Sequence, residues 1–151
     1  MANKYKLTKE SKKIFGITLY RIQALKDFGD VKAGDLGGWV ERERNLSQSG
    51  LCWIYDEGKV FGYAKVSENA WVSDNAQVSE NAWVYGDAII SEDAKVYGNA
   101  RIFEHAKVSG KAWVFEHAQV SGNAWVFGDT EVFGDAKLNS GEYIEGFYTG
   151  E

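Results

Sequence analysis

From Cys52 to Leu138 the chain repeats a six-residue phrase, small–x–aliphatic followed by three turn-forming residues, without a single insertion. The aliphatic position holds Ile54, Val60, Val66, Val72, Val78, Val84, Ile90, Val96, Ile102, Val108, Val114, Val120, Val126, Val132 and Leu138. Two residues before each stands a small one, Ala in twelve of the fifteen hexads and Cys52, Gly58 or Thr130 in the rest. Small–x–aliphatic is a short strand whose first and third side chains face the same way. A side of six residues that never drifts in phase closes into a triangular coil of eighteen, so fifteen hexads predict about five coils. With about 4.8 Å between hydrogen-bonded strands, the prism is roughly 24 Å long.

Turn chemistry agrees with this. The chain has 17 Gly and no Pro, so Gly, Asn and Asp, which tolerate positive φ, must bend it. Charge is uneven: residues 1–50 carry ten Lys and Arg against six Asp and Glu, and residues 51–151 seven against sixteen. An acidic repeat body argues against binding a nucleic-acid backbone. The single Cys52 cannot form an internal disulfide, and its small inward position makes it a buried, inert thiol. There is no signal-peptide pattern and no apolar run long enough for a bilayer, so the expected setting is cytoplasmic, with no membrane partner.

Three segments follow: an N-terminal β-hairpin and Gly/Asp-rich cap (1–50), the repeat (51–138), and a C-terminal cap or tail (139–151). Alternation through Tyr5, Leu7, Ile14, Ile17, Leu19, Ile22 and Leu25 predicts the hairpin, with the charged break Glu10–Lys13 as its loop and Lys4, Lys6, Lys9, Lys12 and Lys13 exposed. Leu36, Trp39 and Val40 are expected to cover the open end of the first coil. Tyr143, Ile144, Phe147 and Tyr148 are too bulky for inward hexad positions and are expected to close the far end or reach a neighbour.

The run "AWVSDNAQVSENAWVYGDAIISEDAKVYGNA" resembles the left-handed parallel β-helix of hexapeptide-repeat, acyltransferase-like proteins. The opening "KYKLT", the block "LYRIQALKDFGDVKAGDLGGWVE" and "CWIY" resemble a group of such proteins in phages and bacteria. The predicted fold is therefore all-β, a left-handed parallel β-helix with a small hairpin cap. The resemblance implies a homotrimer or higher assembly. It also implies an acyltransferase reading using acetyl-CoA, with a His at a subunit boundary as general base.

Assigning every third hexad to one face gives outward positions Trp53, Trp71, Ile89, Lys107 and Trp125 on face one. Face two presents Lys59, Gln77, Lys95, Trp113 and Glu131, and face three Lys65, Trp83, Arg101, Gln119 and Lys137. The apolar run Trp53, Trp71 and Ile89 is the candidate oligomer interface. Trp83, Lys95, Arg101, Lys107, Trp113 and Trp125 form cation–aromatic pairs eighteen residues apart and are the candidate ligand-binding residues. A further aromatic column, Phe61, Ser79, Tyr97, Phe115 and Phe133, is expected to stack along one edge.

The only histidines, His105 and His117, are twelve residues apart and therefore on different edges, and a turn residue at tolerable positive φ explains both. They are the candidate catalytic residues, but the reading leans away from catalysis. No metal ligand set and no cofactor is indicated. The leading expectation is a non-catalytic binding protein that sequesters a small anionic, nucleotide-type signal, in one version a phage counter-defence protein. The alternatives are the acyltransferase and a structural prism that inhibits a host protein.

Overall fold

Each hexad sends two side chains inward, and both are small enough for three hexads to meet across a narrow interior. Every Ala, and every residue at the aliphatic position of the hexad, is fully buried from Val60 to Val132. The computed structural model describes residues 3–150, and the chain is all-β, a parallel β-solenoid of about six coils with one short 3-10 turn at Glu43–Asn45. The fifteen rungs pair in register eighteen residues apart, as in Ile89 with Trp71 and Lys107, or Lys95 with Gln77 and Trp113. Two faces gain a further, shortened rung: Glu142–Tyr143 pairs with Trp125–Val126, and Phe147–Tyr148 with Glu131–Val132. Tyr143 and Tyr148 thus occupy inward positions despite their size, meeting edge to face at 4.9 Å.

Positive φ falls on the second turn residue of each hexad. Asp56, Glu68, Asp74, Glu80, Glu92, Glu104 and Glu116 lie between 54° and 59°, with Gly at the equivalent positions of the other coils. The N–H of that residue is left out of the inter-coil ladder. In three coils an acidic side chain of the preceding coil accepts it, from Glu92 to Asp74 (3.0 Å), Gly110 to Glu92 (3.3 Å) and Gly122 to Glu104 (3.2 Å).

The N-terminal strands β1 (Tyr5–Ile14), β2 (Ile17–Ala24) and β3 (Leu36–Val40) extend face two beyond the first coil. β1 runs straight through the charged stretch 10–13, with a bulge between Leu7 and Ser11. The turn lies instead at Phe15–Gly16, both at positive φ, as a two-residue hairpin connection requires. Lys4, expected to be exposed, is buried. Its ammonium donates to the Cys52 carbonyl (2.8 Å) and the Gly50 carbonyl (3.2 Å) and sits 3.4 Å from the Cys52 sulfur. Burial pulls the Lys4 ammonium below its ordinary range and pushes the Cys52 thiol above its own. Leu36 is exposed, whereas Trp39 and Val40 are buried.

Trp53 departs from its expected role at an oligomer interface. It is 1% exposed, covered edge-on by Tyr5 (6.2 Å) and Phe28 (5.2 Å), because the cap crosses the first coil on that side. The in–out register of the rungs makes a sharp prediction for two adjacent isoleucines. Ile90→Ala should lower stability by about 2–5 kcal/mol by opening a cavity, and Ile89→Ala by about 1 kcal/mol or less, read from chemical denaturation. Equal losses would contradict the register.

Candidate functional site

Residues eighteen apart stack, so turn positions form columns as strand positions do. At the edge leading from face three into face one, the third turn residues are Leu51, Asn69, Asp87, His105 and Asn123. Three of these are joined by side chains. The Asn69 amide donates to Asp87 Oδ1 (3.3 Å), and His105 Nδ1 stands 3.5 Å from Asp87 Oδ2. The 3.5 Å separation is ion-pair range and meets no hydrogen-bond geometry; a proton on Nδ1 facing the carboxylate would leave Nε2 as the acceptor, the arrangement a general base needs.

The positive-φ explanation for His105 and His117 does not hold, because the left-handed residues are Glu104 and Glu116. The two His backbone N–H groups donate into the ladder, to Gly122 and Gly134. As expected, the two histidines stand on separate edges. His117 has no ion-pair partner among the described residues, which separates it chemically from His105.

Beside the column runs a groove of about 270 Å3 lined by Phe28, Asp30, Leu51, Tyr55, Asn69, Trp71, Asp87 and Ile89. Its wall is apolar where Trp71 (40% exposed) and Tyr55 meet edge to face at 5.5 Å. The Tyr55 hydroxyl donates to Asp30 (2.8 Å), and burial with that carboxylate pushes its phenol up. The groove and the Asn69–Asp87–His105 column share Asn69 and Asp87.

The predicted ligand-binding residues do not converge. Lys95 lies over Trp113 (5.6 Å) and Arg101 over Trp83 (5.2 Å), on different faces. Lys107 and Trp125 do not form the third pair. The Trp125 indole donates to Ser109 (3.1 Å) and lies against Phe127 (4.5 Å). The aromatic column does stack, Tyr97 on Phe115 and Phe115 on Phe133 at 5.0 Å, and a second column stacks Tyr85 on Phe103 at 5.1 Å.

On face two a groove of about 410 Å3 brings Phe15, Ile17, Phe61, Tyr97 and Trp113 beside Lys95 and Glu80. The neighbouring groove, about 560 Å3, sets Lys95 and Lys111 among Asp93, Asp129 and Glu131. Among the described residues no three His, Cys, Asp or Glu side chains gather as a metal site, and no helix is long and apolar enough to cross a membrane.

Sequence reasoning placed Asn69 and Asp87 only as turn formers. The eighteen-residue offset joins 69, 87 and 105 at the third turn position, whereas the expected columns lay at the strand positions and the first turn position.

No family model matches the chain. Over 54 residues, 35% of the chain, it is 50% identical to the uncharacterized acetyltransferase YdcK of Escherichia coli (strain K12); the shared stretch spans 17% of that protein. The parallel β-solenoid of stacked hexads and this shared stretch fit a hexapeptide-repeat β-helix of the acyltransferase-like kind, and the likeness to the relative covers about a third of the chain.

Proposed function

We propose that the protein transfers an acetyl group from acetyl-CoA at the Asn69–Asp87–His105 edge, with His105 as general base. The observation that carries this reading is the stacked column, Asn69 donating to Asp87 and His105 Nδ1 standing 3.5 Å from Asp87, beside an apolar groove, and the acetyltransferase name of the relative supports it. Asn69 holds Asp87, Asp87 holds His105 Nδ1–H, and Nε2 takes the proton of an acceptor hydroxyl or amine as that group attacks the thioester carbonyl. The same proton then goes to the departing CoA sulfur. The edge is open on one chain, so a neighbouring subunit laid on Trp71 and Ile89 supplies the second wall, in a homotrimer. Nothing in the relative's name supports a phage counter-defence role.

A second reading, a non-catalytic binding protein, is favoured by the aromatic groove around Trp113, where a flat ring has Tyr97 and Trp113 to pack on and Lys95 nearby. The acids around Lys95 weigh against a strongly anionic ligand in that groove.

Both readings are open to direct measurement. With acetyl-CoA and a panel of amine and hydroxyl acceptors, free-thiol release should fall about 100-fold or more in His105→Ala and stay within twofold in His117→Ala. Turnover indifferent to His105→Ala, or no release with any acceptor, overturns the enzyme reading. A nucleotide that raises the melting temperature of the native chain, and not of Trp113→Ala, would favour the binding protein. No shift with any nucleotide counts against it.

A further inference from the structure

Two grooves meet on face two. The apolar one is walled by Phe15, Ile17, Phe61 and Tyr97, the polar one by Asp93, Lys111, Asp129 and Glu131, and Gln77, Lys95 and Trp113 line both. They form one trough across the face, about 410 Å3 at its apolar end and about 560 Å3 at its polar end, the size of a small-molecule site. The His105 column stands on the edge between faces three and one, which face two does not touch, so the trough is a separate place on the chain. Folding alone does not explain Phe15 in its wall. It sits at φ 50° in the hairpin turn, with Gly16 at 76°, a position that Asn or Asp fills readily and a bulky aromatic residue does not. At 76% exposure the ring recovers little by burial, and it lines the trough with Trp113 instead.

Charge selects what the trough accepts. Four carboxylates, Glu80, Asp93, Asp129 and Glu131, line it against two ammoniums, Lys95 and Lys111. Lys95 is drawn onto the Trp113 ring, 5.6 Å from its centre, and among the described residues no ion pair ties either lysine to these acids. The acids are felt at the middle of the trough, where burial together with Glu131, Glu80 and Glu116 pushes the Tyr97 phenol above its ordinary range. We propose that this trough binds a small aromatic amine in its protonated form, the flat ring against Phe15, Tyr97 and Trp113 and the ammonium among Glu80, Asp129 and Glu131. Aromatic faces attract both a ring and a cation, and the carboxylates accept the ammonium's hydrogen bonds. An anion of the same shape meets the four carboxylates instead. The proposal concerns the same groove as the binding reading above, needs no nucleotide to bind there, and is independent of acetyl transfer at His105.

NMR titration of the full chain, followed through the tryptophan indole N–H signals, tests this with three probes that share a ring and chain length: phenethylamine, phenethyl alcohol and phenylpropanoate. At neutral pH and low salt the amine should bind about tenfold or more tighter than the alcohol, the propanoate weakest, and added salt should shrink the difference. Glu131→Lys should abolish the preference for the amine. Trp113→Ala should weaken amine binding about tenfold or more, whereas Trp83→Ala, a comparably exposed tryptophan on face three, should leave it within twofold. Phe15→Asn suits the turn better, so it should keep or raise the melting temperature and still weaken the amine about threefold or more. No preference for the amine, an equal loss in Trp83→Ala, or affinity indifferent to Glu131→Lys or Phe15→Asn overturns the proposal. A nucleotide whose binding is lost in Trp113→Ala, with no amine bound, overturns this ligand class and leaves the binding reading in place.

Discussion

One hydrogen-bond ladder carries the rest of the molecule. In coil after coil the N–H of an outward residue donates to the carbonyl seventeen positions on, as from Trp71 to Ala88, Lys95 to Ala112 and Arg101 to Ala118, at 2.9 to 3.0 Å. A residue inserted between two rungs would throw the inward Ala and Val to the surface, so the ladder tolerates no drift in phase. Two-residue strands gain little individually. Their stability comes from sharing one continuous core with the rungs before and after them.

Because the ladder holds every hexad eighteen residues above its equivalent, chemistry on this surface is arranged in columns. A column is useful where it differs from its neighbours. Two of the three columns of second turn residues alternate Gly with Glu, and carboxylates such as Glu92 and Glu104 take up a spare N–H of the next coil. The edge that stacks Asn69, Asp87 and His105 instead joins side chain to side chain and leaves an imidazole nitrogen free. The apolar face-one groove beside it shares Asn69 and Asp87 with that column. The aromatic groove on face two depends on a different element, the hairpin tip that projects Phe15 over Trp113.

Most of the solenoid was legible because a period of six is local information repeated fifteen times. The inward and outward assignments, the stacked Phe115 column and the Lys95–Trp113 and Arg101–Trp83 pairs all follow from that period. Contacts made once, across long sequence separation, were not legible. Lys4 reaches Cys52 over 48 residues, and Trp53 is covered by Tyr5 and Phe28 of the cap. Nothing in the repeat distinguishes Trp53 from the exposed Trp71 except its position in the first coil. The hairpin turn had a local signal in Phe15–Gly16 flanked by Ile14 and Ile17, which the more conspicuous charged stretch obscured. Asp87 lies in the third turn position, whose polar side chains carry no hydrophobic signal that marks a column.

Coil register alone brings Asn69, Asp87 and His105 into one column, with His105 Nδ1 beside the Asp87 carboxylate. Nitrogen NMR of the two imidazoles at neutral pH or above tests it most directly. The account predicts His105 held as the Nδ1–H tautomer, His117 not so held, and the difference lost in Asp87→Ala. Two histidines with the same tautomer in the native chain would contradict it.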